Sequence, residues 1–272
     1  MTDPLLGKII GAYRIDWELS PSRWGKVYRA WQNATHRAVA LKVMSPEIAA
    51  LPGKIDQFRD RARGGAQLSH GNLVAIYEAG YVQGVHFCAM ELMDGPPLEQ
   101  FLRKSGKVDE HHLLLAIVSV ARALDYLWQR QFPHQPPQAG NVLTARSGTV
   151  KLINFEPDAA PPSQTQRDDI VALGLLLGQL ANDISPVSKP VGELVERMVG
   201  ATGRKPLATL GELAEVASAL DHELFPSLPA PAPVIEKANE RKTKPILIAG
   251  VALALVAFLV LLVIFLMRRT TK

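Results

Sequence analysis

Three groups of side chains have the types and spacing that chemistry would need. Asp109-Glu110-His111-His112 sets two acids beside two imidazoles. Adjacent helical residues project about 100° apart, so the two rings do not close on one ion. Acids at a helix start also complement its dipole. The group therefore reads as a helix N-terminus and not as a metal centre. Cys88 is the single cysteine, which excludes an intramolecular disulfide and a cysteine zinc cluster. No basic neighbour draws off its proton, so it reads as a buried strand residue in a chain that needs no oxidising compartment. Arg59, Arg61 and Arg63 surround Asp60. They read as a solvated face, with a docking surface for an acidic or phosphorylated partner as the functional alternative.

The elements that must carry such groups come in three parts. The chain has 272 residues, 47 % apolar and 21 % charged, which gives a real core and rules out wholesale disorder. Residues 1–225 hold 23 Lys+Arg and 24 Asp+Glu, a balance of −1, so the positive excess of the chain belongs to the remainder. Residues 226–244 add four bases and two acids, and residues 245–272 add three bases and no acid. That is a membrane pattern and not a nucleic-acid one, so no nucleic-acid partner is expected. Ile246 to Met267 carry no charged side chain. As a helix these residues span about 33 Å, matching a hydrocarbon core of about 30 Å. Residues 245–267 are expected to form a single-pass transmembrane helix, followed by a short basic tail, 268–272. Pro226, Pro229, Pro231 and Pro233 open a semi-extended linker over 226–244. The start, MTDPLLGKII, lacks a basic-then-apolar leader, and Lys237–Lys244 holds four bases. The globular part is therefore expected at the cytoplasmic face of the cell membrane.

Within the body, residues 13–44 show short β-rich runs separated by turn residues, as in a hairpin-rich sheet. Residues 55–69 predict a helix, weakened by Gly64 and Gly65. Strands are predicted over Val74–Glu78 and Val85–Met90. Helical periodicity dominates from Leu98, notably over Glu110–Trp128, Asp169–Ala181 and Val191–Val199.

The order of these segments resembles a protein kinase domain, most like the bacterial membrane-anchored serine/threonine kinases, over about residues 10–220. The residues that carry the resemblance are GKVYRA (25–30), VALK (39–42), AQLSHGNLVAIYEAG (66–80), AMELMDGPPLEQFL (89–102), GNVLT (140–144), VKLINF (150–155) and DDIVALGLLLGQL (168–180). The resemblance implies an α+β, two-lobed fold within residues 1–225. It has a small β-rich N-lobe at about 10–92 and a trimmed helical C-lobe at about 93–220.

Phosphoryl transfer needs a held nucleotide, bridging metal, and a carboxylate to orient the hydroxyl nucleophile. Matched to the family, each part is altered. In the phosphate loop, Ser20 and Ser22 stand where the first two glycines belong; Gly25 remains, and Pro21 and Trp24 crowd it. Lys42 is in place, but Arg61 occupies the position of its glutamate partner, where a like charge would repel it. The catalytic loop reads His134-Gln135-Pro136, then four residues to Asn141, and Pro136 replaces the catalytic carboxylate. Gln138 replaces a frequent lysine, while Asn141 remains as a candidate metal ligand. The metal tripeptide reads Asn154-Phe155-Glu156, and an amide is a much weaker magnesium ligand than a carboxylate. The segment to Asp168 is short and proline-rich, unlike a peptide-substrate platform.

What remains is a vestigial nucleotide cleft of Gly25, Val27, Ala40, Lys42, Met90, Glu91 and Leu143, with Met90 as gatekeeper. Asp169 matches the buried aspartate that supports the catalytic loop. The expectation is a membrane-tethered pseudokinase that binds unidentified protein partners, with no catalytic residue and no cofactor required. Two alternatives stand: a divergent kinase that uses Glu156 or Asp158 and ATP, and a nucleotide sensor that binds ATP without turnover.

Overall fold

The computed structural model describes residues 3–153, 164–200, 203 and 205–226, all within one compact unit. The expected linker and membrane helix, and Asn154 and Glu156, lie outside the described residues. Among the described residues no helix is long and apolar enough to cross a membrane.

The N-terminal half is an antiparallel six-stranded sheet. Its strands are β1 (Ile9–Ile10), β2 (Tyr13–Ser22), β3 (Gly25–Gln32), β4 (Arg37–Met44), β5 (Ile76–Val82) and β6 (Val85–Glu91). They lie in the order β1-β2-β3-β4-β6-β5. Strand periodicity of two sorts their side chains into two layers. Val39, Leu41 and Val43 of β4 join Phe87 and Ala89 of β6 in one apolar cluster on the outer face. Ala40 and Met44 join Cys88 and Met90 in a second cluster on the other face. Lys42 shares the parity of Ala40, so it too is on this second face.

Between β4 and β5 run a short helix α1 (Pro46–Ala49) and the longer α2 (Lys54–Gly65). α2 buries Phe58, Ala62 and Gly65, a helical stripe set against the second cluster. The expected helix over 55–69 thus stops at Gly65. There a Cβ would strike the Ile76 side chain, so the glycine permits close approach of α2 to β5. The expected strand at Val74 begins instead at Ile76. Val74 N–H donates to the Leu152 carbonyl at 3.0 Å, and Leu152 N–H to the Asn72 carbonyl at 2.8 Å. Those bonds commit residues 72–74 to the other lobe.

The C-terminal half packs around α4 (Glu110–Gln129), whose residues from Leu113 to Leu127 are largely buried. Short α3 (Leu98–Phe101) and a two-residue hairpin, β7 (Arg103–Lys104) with β8 (Lys107–Val108), precede it. A second hairpin, β9 (Val142–Thr144) with β10 (Val150–Leu152), follows it. Then come α5 (Gln166–Ile184), α6 (Lys189–Val199) and α7 (Leu210–Leu224). α5 begins three residues before the expected Asp169, because Thr165 caps it and Asp168 completes a capping box. α7, absent from the sequence expectations, buries Leu210, Leu213 and Ala217 and packs on α4.

Candidate functional site

A cleft of about 440 Å³ lies between sheet and helical lobe. Val27, Ala40 and Lys42 form part of its roof, Met90 to Met93 its back, and Leu143 and Ile153 part of its floor. The structure thus gathers six of the seven expected cleft residues, and Asn141 with them. Gly25 is the exception, and this corrects the expectation. It sits at the tip of the β2–β3 hairpin with φ of +144°, paired with Met44, and an added Cβ would meet the Val43 carbonyl. Its glycine serves backbone packing and not access to a ligand.

The bulky neighbour explains the loop. Trp24 is 2 % exposed; it turns away from the cleft and stacks on Phe58 of α2, with centroids 6.0 Å apart at 30°. Ser45 N–H donates to the Trp24 carbonyl at 2.8 Å, fixing the tip to the end of β4. Loop and helix are therefore held by buried aromatic packing.

Arg61 corrects a second expectation. It does not line the cleft. Its Nη1 donates to the Pro133 carbonyl at 2.6 Å, with the guanidinium 5.8 Å from the Phe132 ring. The long side chain takes the charge to the loop before Pro136. Lys42 is 2 % exposed, and across the β4–β6 ladder it pairs with Cys88. Cys88 does therefore have a basic neighbour, contrary to the sequence reading. Burial still dominates: it pushes the thiol up to about 12, against the smaller pull of Lys42.

The floor is held by retained polar residues. His134 Nδ1 lies 3.0 Å from the Phe132 carbonyl, and Nε2 lies 2.8 Å from Asp169 Oδ2. Trp128 Nε1–H donates to the same carboxylate oxygen at 2.7 Å. Asp169 is fully buried. It supports the loop structurally, as the resemblance implied.

Downstream, Asn141 Oδ1 accepts from Gln138 N–H at 2.6 Å, and Asn141 Nδ2 donates to the Pro136 carbonyl at 3.2 Å. Pro136 itself is outside the cleft lining. Among the described residues that line the cleft, Glu91 is the one carboxylate. Lys151 Nζ donates to both its oxygens at 2.7 and 2.8 Å, and Ala75 N–H donates to one at 3.1 Å. Glu91 is thus a latch to β10, with both carboxylate oxygens engaged. Magnesium takes carboxylate and phosphate oxygens. The described lining has no uncommitted carboxylate, and no group of three His, Cys, Asp or Glu able to hold a metal occurs among the described residues. These residues do not fit magnesium; the apolar slot of Val27, Ala40, Met90 and Leu143 does fit a flat ring.

The histidines of the first sequence group part as expected. His111 Nδ1 lies 2.7 Å from Asp221 Oδ1 of α7, and His112 Nδ1 lies 2.9 Å from the Phe101 carbonyl. Sequence reasoning read Ser22 only as a replaced glycine, and it missed Gln135 and Phe58. Gln135 is 5 % exposed, and its Oε1 and Ser22 Oγ have no hydrogen-bond partner among the described residues, although both residues line the cleft. The amide between His134 and Pro136, in a motif already singled out, was the available signal.

The profile of the family described as protein tyrosine and serine/threonine kinase matches residues 14–157, more than half of the 272 residues. The chain belongs to the protein kinase family. Within that family it is 30 % identical over 239 residues to the serine/threonine-protein kinase PknA of Mycobacterium tuberculosis, covering 81 % of this chain and 53 % of PknA. It is 26 % identical over 202 residues to serine/threonine-protein kinase PrkC of Bacillus subtilis, covering 65 % of this chain and 31 % of PrkC. The kinase-family chain spans about half the length of PknA, and less of PrkC. The crystal structure of the Mycobacterium tuberculosis PknI kinase domain superposes with a TM-score of 0.61 at 22 % identity, covering 78 % of this chain and 98 % of that one. At that identity the likeness speaks for the two-lobed kinase fold.

Proposed function

We propose that this kinase-family chain is a pseudokinase: a regulatory or scaffolding module that binds protein partners and transfers no phosphate. Residues 245–267 tether it to the membrane, with the globular part on the cytoplasmic side, and tethering raises its effective concentration for other membrane components. The observation that carries the reading is Pro136. A pyrrolidine ring neither accepts a proton nor orients a hydroxyl. No described residue of the cleft substitutes for it, since both oxygens of Glu91 are bound to Lys151.

The test is incubation of the chain with labelled ATP and magnesium. No label should pass to the chain or to a general acceptor protein. Autophosphorylation that disappears in Lys42→Met would overturn the reading and favour the divergent kinase. Proximity labelling in the native membrane identifies the partners.

A further inference from the structure

A second cavity, of about 330 Å³, opens where the segment Asp3–Gly7 meets the start of β3, the end of β4 and the turn between β5 and β6. It shares no lining residue with the interlobe cleft, and its volume falls within the range of small-molecule sites, about 300–1,000 Å³. Its walls are mostly apolar, with Pro4, Leu5, Val43, Pro46 and Val85 among them. Tyr28 and Val43 belong to the outer apolar layer of the sheet, and Leu5 and Val85 pack against that layer. One carboxylate is built into the wall. Asp3 Oδ2 accepts from Lys26 Nζ at 2.7 Å and from the Tyr28 hydroxyl at 2.9 Å, and Oδ1 accepts from Leu5 N–H at 2.9 Å. Asp3 and all of these partners line the cavity. An ionised carboxylate has about four acceptor sites, so Oδ1 keeps one to offer.

We propose that this cavity binds an organic ammonium ion with an apolar body, the body lying against Val43 and Val85 and the ammonium donating to Asp3. The walls require the body, since a bare cation leaves the apolar surface uncovered. The charges require the ammonium. Lys26 is the one lysine or arginine in the described lining, against the two acids Asp3 and Glu47. Its ammonium is also shared with Glu18, whose Oε2 lies 2.8 Å from Nζ. Two carboxylates therefore draw on one ammonium, and Glu47 adds a third negative charge. The Lys26 ammonium holds the Asp3 carboxyl below its ordinary value, and the Glu47 carboxyl is lowered by its own backbone N–H and by Ser45, so both remain ionised. A cationic ligand offsets this excess, and an anionic one adds to it. The site lies outside the interlobe cleft, so it stands whether or not the chain transfers phosphate.

Calorimetric titration of the full chain in lipid nanodiscs, with empty nanodiscs as the blank, tests this at about pH 8, above the ordinary histidine range and below that of an alkyl ammonium. The probes share one aromatic body and differ in charge: 2-phenylethylamine, 2-phenylethanol and 3-phenylpropanoate. The amine should bind saturably. The alcohol should bind roughly tenfold more weakly, the size of one charge-assisted hydrogen bond, and the carboxylate should give no saturable heat. Asp3→Asn should bring the amine to within about twofold of the alcohol. Glu47 is exposed, so Glu47→Gln leaves the fold intact; it should weaken the amine by roughly threefold and leave the alcohol unchanged. Absence of saturation at about ten millimolar amine, the weak end of small-ligand affinity, would overturn the proposal. So would equal affinity for amine and alcohol, saturable binding of the carboxylate, or an amine Kd unchanged in Glu47→Gln. The comparison of probes on the parent chain stands even if Asp3→Asn fails to fold.

Discussion

Replacing Trp24 by alanine tests how α2 is held. The indole is 2 % exposed and stacks on Phe58 at 6.0 Å, with the Lys54 ammonium 5.3 Å from its centroid. Truncating a buried aromatic side chain to alanine costs about 3–5 kcal/mol, combining lost transfer energy with the cavity left behind. Of this, about 0.5–1.5 kcal/mol belongs to the aromatic pair itself. A domain of this kind has about 5–15 kcal/mol in all, so Trp24→Ala should remove a large fraction of it. Phe58→Ala should cost a similar amount, and the double variant should fall short of the sum by about 1 kcal/mol, because the shared contact is lost once. Urea titration followed by far-ultraviolet circular dichroism measures all three. A loss below about 1 kcal/mol for Trp24→Ala would refute the packing argument, because that is the size of an ordinary substitution. Strict additivity of the two changes would refute the claim that they act on each other.

Three further outcomes follow from the same structure. Gly25→Ala should destabilise by about 2 kcal/mol or more, since φ is +144° and the new Cβ meets the Val43 carbonyl; a thermal melt reads this. Glu91→Gln should lower stability by about 1 kcal/mol, discounted for partial exposure of the Lys151 pair, and the loss should shrink as salt rises in denaturant titrations. The Lys26 ammonium, with the Leu5 N–H and the Tyr28 hydroxyl, holds the Asp3 carboxyl below its ordinary value. A depressed carboxyl contributes stability above its unfolded pKa of about 3.9, and that contribution is lost as pH falls through the folded value. Asp3→Asn should therefore flatten the acid limb of a stability-against-pH curve and leave it unchanged in slope near neutrality.

Much of the fold was legible because it follows from periodicity. The alternation in RAVALKVM divides β4 between two apolar layers, and α4 is apolar along most of its length. What escaped was set by contacts far apart in the chain. Val74 has strand-forming neighbours on both sides, yet its N–H goes to Leu152, which no local pattern announces. Arg61 was placed opposite Lys42 by matching the segment before Leu68-Ser69-His70 to the family pattern, but a seven-atom side chain reaches Pro133 instead. Of the cleft, the apolar members were found from the motifs. Gln135 was passed over because a glutamine signals nothing until its burial and missing partner are known. Glu91 was identified as a cleft residue, while its pairing with Lys151 crosses 60 positions of sequence and is visible only in three dimensions.

On the pseudokinase reading, the residues that hold this fold together are separable from those that would do chemistry in it. Asp169 fastens His134 and Trp128, and Asn141 fastens Gln138 and Pro136, so the loop keeps its shape although the acid at its centre is a proline. The same separation applies to α2. A glutamate–lysine pair can be broken and remade at a cost of a few kcal/mol, which suits a helix that must swing. Trp24 buried on Phe58 holds α2 by packing instead: withdrawing the ring would open a cavity.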